Sequence, residues 1–231
     1  MKKIEFKIVF IILFFIHCCL IQDSYCAEKR TKVLFIGNSY TYAVVSQFRR
    51  IIAYEKENCD VDIVARGGWS LRMHLNNSTT ISRLLEKEWD YIVLQEKSVI
   101  ASRNNYYQTL NSVRKFIKKL KAKKTKVVLF MPWPYRQGDK GFRAKDNFDS
   151  MLKRIEKFYF KIARRSKIKT VPVGWAFKKT IEKNEKIELY ISDGSHPSTA
   201  GAYLSACVFY SYILNKNPVN IVTGIDAVSP N

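Results

Sequence analysis

Residues 33–41 of the chain read VLFIGNSYT. The apolar run VLFI predicts a strand buried on both faces, and the Gly-Asn that follows predicts a turn. Ser39 would then lie just past the carboxyl end of a strand, where open α/β sheets bind their ligands. Backbone N–H groups of the turn and of a following helix could stabilise an oxyanion there. Taken alone, Ser39 could also be a turn serine or a helix cap.

Similar short apolar runs recur along the chain, separated by longer stretches of helical periodicity. The predicted strands are Lys32–Ile36, Val61–Ala65, Tyr91–Gln95, Lys126–Met131 and Lys169–Val173. The predicted helices are Val44–Glu57, Leu71–Lys87 in one or two pieces, Tyr106–Lys123, Ala144–Ser166 and Ser198–Leu214. This alternation predicts a single α/β domain with a mostly parallel five-stranded sheet.

The amino terminus has the layout of a secretory signal peptide. Three lysines precede an almost uncharged apolar run from Ile8 to Ile21, and small residues follow up to Ala27. The run is shorter than the roughly 20 residues that cross a bilayer as a helix, so an uncleaved anchor is the less favoured interpretation. The sequence therefore predicts a signal peptide over residues 1–27, a folded domain over residues 28–231, and export to the periplasm or the medium.

The chain is strongly basic, with a formal net charge of +20. Two interpretations stay open, namely attraction to an anionic envelope surface and a lysine-rich solvated surface. No nucleic-acid-binding motif accompanies the lysines. Cys59 and Cys207 could pair in an exported protein or remain free thiols. The sequence predicts neither a cofactor nor a metal site, and it leaves the oligomeric state open.

Only two histidines, His74 and His196, lie outside the predicted signal peptide. His196 belongs to the segment SDGSHP at residues 192–197, just before a predicted helix. An Asp three residues before a His, across a turn that contains Gly194, can bring the Asp193 carboxylate to the imidazole Nδ1 and leave Nε2 free as a base. Alone this is a weak motif, because helix-cap turns also favour Asp, Gly and Ser.

Together, the segment GNSYT after the first strand and the segment DGSHP near the carboxyl end resemble the first and last motif blocks of the SGNH (GDSL-type) hydrolases. The resemblance spans about residues 32–214, nearly all of the predicted domain. It implies a three-layer flavodoxin-like sandwich. It also implies that Ser39 is the nucleophile, His196 the base and Asp193 its orienting carboxylate.

The resemblance further implies an oxyanion hole. The second block supplies a glycine N–H, and ARGGWSL after the second strand is similar to it, with Gly68 as the candidate and Gly67 as the alternative. The Ser39 N–H would be another donor. The third block usually supplies an Asn side chain, but the equivalent position here is Gln95, in VLQEKS. Gln95 is the candidate third donor, and its presence indicates a divergent branch.

Further residues are candidates for contact with the substrate. The loop 132–143 follows the fourth strand and is rich in Pro and Gly, so its aromatic residues could form a wall of the site or serve a structural role. His74 could line the pocket or be a hydrogen-bonded helix residue. The candidate substrate-binding residues are Asn38, Trp69, His74, Trp133 and Tyr135.

These features predict an exported serine esterase that hydrolyses O-acyl, in particular acetyl, esters on carbohydrate or another small-molecule substrate. Several branches of the SGNH hydrolases deacetylate glycans, and this chain has no extended apolar lid of the kind that suits long acyl chains. The alternative is a non-catalytic glycan- or envelope-binding protein on the same scaffold, because the third-block Asn is missing.

Overall fold

The computed structural model describes residues 29–120, 124–219 and 221. Contacts divide the chain into Met1–Arg30 and Thr31–Asn231, and the fold is that of the second unit. The predicted signal peptide, residues 1–27, lies outside the described residues. Within those residues, no helix has both the length and the apolar character needed to cross a membrane.

The sheet is parallel throughout, in the order β2-β1-β3-β4-β5. Its strands are β1 (Thr31–Gly37), β2 (Cys59–Ala65), β3 (Tyr91–Leu94), β4 (Lys126–Phe130) and β5 (Lys169–Val171). The predicted five-stranded α/β architecture is confirmed. β2 lies on one side of β1 and β3 lies on the other, so the order in which strands are added to the sheet reverses at β1. Open α/β sheets bind ligands at such a switch point.

The helices pack on both faces of this sheet. In the described residues they are α1 (Ser39–Tyr54), α2 (Leu71–Leu75), α3 (Ser78–Leu85), α4 (Ser98–Ser102), α5 (Tyr106–Lys119), α6 (Phe148–Ser166), α7 (Val173–Lys183) and α8 (Thr199–Leu214). Helices α4 and α7 were not expected from the sequence. The strand predicted to run to Val173 ends at Val171, because Val173 already begins α7.

Alternate residues of β1 face two separate apolar cores, which confirms the predicted three-layer sandwich. Val33 and Phe35 pack with α1, α7 and α8 on one side. Leu34 and Ile36 pack on the other side, with the layer that contains α5 and α6. All of them are fully buried, so β1 is a core strand that fixes the position of the turn after it. Cys59 and Cys207 are free thiols.

Candidate active site

The turn after β1 presents Ser39 at the first position of α1. Asn38 is the N-cap of this helix, and its side-chain Oδ1 accepts a hydrogen bond from the Tyr40 N–H at 3.2 Å. The helix predicted from Val44 therefore starts earlier, because the cap holds the first turn. Gly37 is required before it, since an added Cβ would lie 2.2 Å from Thr41 Oγ1 and 2.6 Å from Gln95 Oε1.

The segment before α8 presents His196. Gly194 has a φ of +65°, which closes a tight turn between Asp193 and His196. Asp193 Oδ1 accepts hydrogen bonds from the Ser195 and His196 N–H groups, both at 2.8 Å. Ser198 caps α8, with its hydroxyl accepting from the Gly201 N–H. The carboxylate is thus held against the imidazole by the backbone of its own turn.

The structure brings Ser39, His196 and Asp193 together as the sequence predicted. Ser39 Oγ lies 2.9 Å from His196 Nε2. His196 Nδ1 lies 2.6 Å from Asp193 Oδ2. Because a carboxylate can only accept here, Nδ1 carries the proton and the Nε2 lone pair faces the Ser39 hydroxyl. Hydroxyl, imidazole and carboxylate therefore form a continuous hydrogen-bonded relay in which Asp193 orients the imidazole.

Asp193 is an exposed residue and is charged at neutral pH. Burial alone would raise its pKa, but hydrogen bonds from the His196 ring and from the Ser195 and His196 amides outweigh burial, and the pKa is held below its ordinary value. The carboxylate can therefore fix the imidazole tautomer and stabilise the imidazolium that forms when Ser39 loses its proton.

Gln95 does not point into the site, and its predicted role as an oxyanion donor is wrong. It is fully buried, and its Oε1 accepts from the Asn38 N–H and from the Thr41 hydroxyl, both at 2.9 Å. The Asn38 N–H can only donate, so the carbonyl end of Gln95 must face it. The Nε2 end donates to the Glu96 carbonyl at 2.7 Å. Gln95, which directly follows β3, thus stabilises the turn that carries the nucleophile.

Gly68 lies in a four-residue turn after β2. The Trp69 N–H donates to the Arg66 carbonyl at 3.0 Å, and Gly68 has a φ of +70°, as the third residue of a type II turn requires. Gly67 and Gly68 are exposed. Within the described residues the Gly68 N–H has no acceptor, so it is free to bind a ligand. Its role in the oxyanion hole stays a prediction.

His74 is a structural residue, which corrects its place among the substrate contacts. Its exposed fraction is 0%. Nε2 donates to the Gly37 carbonyl at 2.7 Å, and Nδ1 contacts the Thr80 hydroxyl at 3.0 Å. Burial lowers the pKa of His74, against the hydrogen bond to Gly37. A neutral His74 therefore ties α2 to the end of β1, beneath the nucleophile turn.

Trp133 also does not line the site, which corrects the predicted substrate wall. Its exposed fraction is 0%. The ring is stacked between Tyr40 and Phe177, with centroids at 4.8 and 4.5 Å. The indole N–H donates to the Ser195 carbonyl at 2.9 Å. Trp133 therefore supports the histidine segment from below instead of touching a substrate.

A second hydrogen bond joins the same two segments as the Ser39–His196 contact. The Tyr40 and Ser195 hydroxyls, each next in sequence to a relay residue, share a hydrogen bond of 2.5 Å. The Tyr40 ring also packs edge-on against the His196 ring, with centroids 5.3 Å apart. The neighbours of the nucleophile and of the base are thus bonded to each other, which limits the motion of both.

The segment after β4 contributes to the base side of the site through its backbone. The Arg136 N–H donates to the Gly194 carbonyl at 2.8 Å. Tyr135 is half-buried, and burial raises the pKa of its hydroxyl. Trp69, on the other side, is half-buried and packs edge-on against His74 at 5.0 Å. The predicted substrate contacts of Tyr135 and Trp69 stay predictions.

Glu96 is an unexpected buried carboxyl group behind the site. It accepts hydrogen bonds from the Leu71 and Lys97 N–H groups and from the Thr109 hydroxyl, and its exposed fraction is 1%. Burial raises its pKa above the ordinary value, although these hydrogen bonds oppose the shift. The carboxyl group joins β3, α2 and α5.

We expect Glu96→Gln to flatten the pH dependence of stability. Because the pKa is raised in the folded state, the folded protein keeps a proton that the unfolded chain releases. The contribution of Glu96 to the wild-type free energy of unfolding is therefore greatest when the pH is below the pKa that Glu96 has in the unfolded chain. This contribution is lost as the pH rises through the pKa that Glu96 has in the folded protein. Gln keeps the acceptor for the amide N–H groups and removes this titration, so urea unfolding between pH 4 and 8 should show an advantage for the variant that grows with pH. Parallel profiles for Glu96→Gln and for the exposed control Glu185→Gln would contradict this.

Sequence reasoning missed Tyr40 and Glu96. Tyr40 had a signal, since it precedes the buried Val44 and Phe48 at a spacing of four residues, on the same helical stripe. Glu96 had none, because a single Glu after a strand is normally exposed. The described residues contain no group of three or more His, Cys, Asp or Glu side chains suited to a metal ion.

No protein-family model and no curated protein matches the chain. Solved structures do. A proposed SGNH hydrolase from Slackia heliotrinireducens is 28% identical, with a TM-score of 0.67, and the match covers 80% of this chain and 100% of that one. A DUF4886 family protein from Bacteroides uniformis is 22% identical, with a TM-score of 0.76 over 87% of this chain and 89% of that one.

A third match, to an acetyl xylan esterase, has 16% identity and a TM-score of 0.62 over 79% of this chain and 99% of that one. At such identities the likeness shows the fold alone, but the Slackia heliotrinireducens protein also shares more than a quarter of its residues. The predicted resemblance to the SGNH (GDSL-type) hydrolases is thereby confirmed, and the chain has their fold.

Proposed function

We propose that the protein is an exported serine esterase that hydrolyses O-acyl esters, preferentially acetyl esters on carbohydrate. The observation that carries the proposal is the relay itself. Ser39 Oγ is 2.9 Å from the imidazole nitrogen that would take its proton, and the other imidazole nitrogen is 2.6 Å from Asp193. These are hydrogen-bond distances suited to a general base and its orienting group.

The acylation step follows from this geometry. The Ser39 oxygen forms a bond to the ester carbonyl carbon as its proton passes to His196 Nε2, and the carbonyl electron pair moves onto oxygen. The Ser39 and Gly68 N–H groups stabilise this oxyanion, and one such donor typically contributes about 3 kcal/mol of barrier lowering. When the intermediate collapses, the bond to the alcohol oxygen breaks and His196 gives that oxygen its proton.

Water completes the cycle by the same chemistry. His196 removes a proton from water as the water oxygen attacks the acyl-enzyme carbonyl, and the Ser39 oxygen leaves as a hydroxyl when His196 returns the proton. Asp193 holds the same imidazole tautomer in both halves. The steps balance in protons and electrons with no further reactant.

Two features support a short acyl group on a hydrophilic alcohol. Gly67 and Gly68 lie in the turn after β2, and Ile191 lies in the segment that leads to His196. All three are exposed, so this part of the site is open to solvent. An open rim suits a polar alcohol such as a sugar better than a long acyl chain. The acetyl xylan esterase among the similar structures also supports this substrate class.

A fluorophosphonate tests the catalytic claim directly. The secreted protein should gain one phosphonyl group by intact mass, and Ser39→Ala should gain none. The labelled protein should lose hydrolysis of p-nitrophenyl acetate, and unlabelled protein should release acetate from acetylated xylan.

Two outcomes would count against the proposal in different ways. A folded wild-type protein that binds polysaccharide but is neither labelled nor active would favour the non-catalytic alternative that the missing third-block Asn suggests. Labelling together with faster hydrolysis of p-nitrophenyl palmitate than acetate would keep the esterase and remove the acetyl preference.

A further inference from the structure

Because Gln95 does not point into the site, the oxyanion hole of the proposed esterase has two candidate backbone donors, the Ser39 and Gly68 N–H groups. The Ser39 N–H is at the first position of α1, where helix geometry leaves N–H groups without an intrahelical acceptor. The Gly68 N–H is free in its type II turn. In the described residues neither has a protein acceptor, so both are available to a developing negative charge.

The side chain of Asn38 has a fixed orientation beside these donors. Its Oδ1 accepts from the Tyr40 N–H, so the Nδ2 end of the amide group must face the other way. Nδ2 lies 3.5 Å from the Trp69 carbonyl, at the long limit of a hydrogen bond. One N–H is thus weakly held, and the second has no acceptor in the described part of the chain.

The position of Nδ2 is defined by its two neighbours. Asn38 immediately precedes the nucleophile, and Trp69 immediately follows Gly68. The contact between Nδ2 and the Trp69 carbonyl therefore spans the gap between the turn that carries the Ser39 N–H and the turn that carries the Gly68 N–H. Asn38 is only 5% exposed, and a buried donor left without a good acceptor costs about 1–3 kcal/mol.

We propose that Asn38 Nδ2 is the third donor of the oxyanion hole. In this chain the side-chain amide donor would come from the turn just before the nucleophile. Gln95 stands at the position of the usual donor and instead stabilises that turn. The inference rests on the proposed esterase function, because it assigns a catalytic contact within the same reaction.

Asn38→Asp and Asn38→Ser separate this role from helix capping. Asp and Ser cap helices about as well as Asn, but Asp cannot donate and the Ser hydroxyl does not reach as far as Nδ2. We expect kcat for p-nitrophenyl acetate to fall about 10²–10³-fold in both variants, as for other oxyanion donors. KM should stay within about threefold, and the melting temperature should not fall, because both variants keep the helix cap and remove a poorly satisfied donor. Fluorophosphonate labelling should slow in parallel, since the phosphonyl oxygen occupies the same hole.

Asn147 provides the matched control, since it caps α6 by accepting from the Ser150 N–H at 2.8 Å. Asn147→Asp and Asn147→Ser should keep wild-type kcat. If Asn38→Asp and Asn38→Ser retain kcat within threefold, or lose it only together with melting temperature, the donor role is overturned while the esterase stands. If wild-type protein neither hydrolyses esters nor reacts with fluorophosphonate, the esterase function fails and the donor role fails with it.

Discussion

Asp193→Asn is expected to lower kcat about 10⁴-fold without unfolding the protein. The reason lies in the backbone of the turn. The Ser195 and His196 N–H groups both donate to one carboxylate oxygen, so the Asn carbonyl oxygen would take that place and turn its NH₂ group toward His196 Nδ1. Nδ1 must then accept, and the imidazole proton moves to Nε2, where it faces the Ser39 hydroxyl. A histidine in that tautomer cannot accept the serine proton.

Steady-state hydrolysis of p-nitrophenyl acetate measures this effect, with urea unfolding as the check on the fold. Asp149→Asn is the matched control, because Asp149 is exposed and forms a surface ion pair with Lys178. That variant should keep wild-type kcat. A loss of less than about tenfold for Asp193→Asn would mean that Asp193 does not set the tautomer and that the relay stops at His196.

Trp133→Ala is expected to destabilise the fold by about 3–5 kcal/mol, as removal of a large buried aromatic side chain does. The deletion removes the stack between Tyr40 and Phe177 and leaves the Ser195 carbonyl without its indole donor. Trp133→Phe keeps an aromatic ring and should cost less. The urea unfolding midpoint at fixed pH measures both.

Trp175 is the control for this substitution, since it lies on α7 with 39% of its surface exposed. Trp175→Ala should change the free energy of unfolding by less than about 1 kcal/mol. If Trp133→Ala proved as stable as Trp175→Ala and instead raised KM for the acetylated substrate, Trp133 would be a wall of the substrate site after all.

The error about Trp133 has an identifiable origin in the sequence. Its burial depends on Phe177, and Phe177 belongs to α7, which local patterns did not predict. The segment after Pro172 begins with Val and Gly, which favour the end of a strand. Gly174 nevertheless lies in α7, and a glycine is needed there because a Cβ would be 2.6 Å from the Pro132 carbonyl oxygen. The burial of Trp133 thus involves a contact with Phe177 that is distant in sequence and that a local pattern does not show.

The relay residues were predictable because each belongs to a short local pattern. The apolar run of β1 is buried on both faces, which fixes Ser39 at the strand end, and the spacing of Asp193 and His196 is set within one turn. Gln95 was not predictable in the same way. A side-chain amide can present either end, and the orientation of the Gln95 amide is decided by the Asn38 N–H, a group far away in sequence.

Ser39 follows a strand in the middle of a paired sheet, whereas His196 lies in a segment outside the sheet. The free energy needed for local unfolding is therefore expected to be higher around Ser39 than around His196. β1 is paired on one side with β2 and on the other with β3, so exposing it requires the sheet itself to separate. His196 and Asp193 belong to a partly exposed segment outside the sheet, and excursions of that segment cost less than global unfolding. During such an excursion the molecule is folded yet has no proton acceptor for its serine. We therefore expect heating to abolish activity at a lower temperature than it unfolds the sheet.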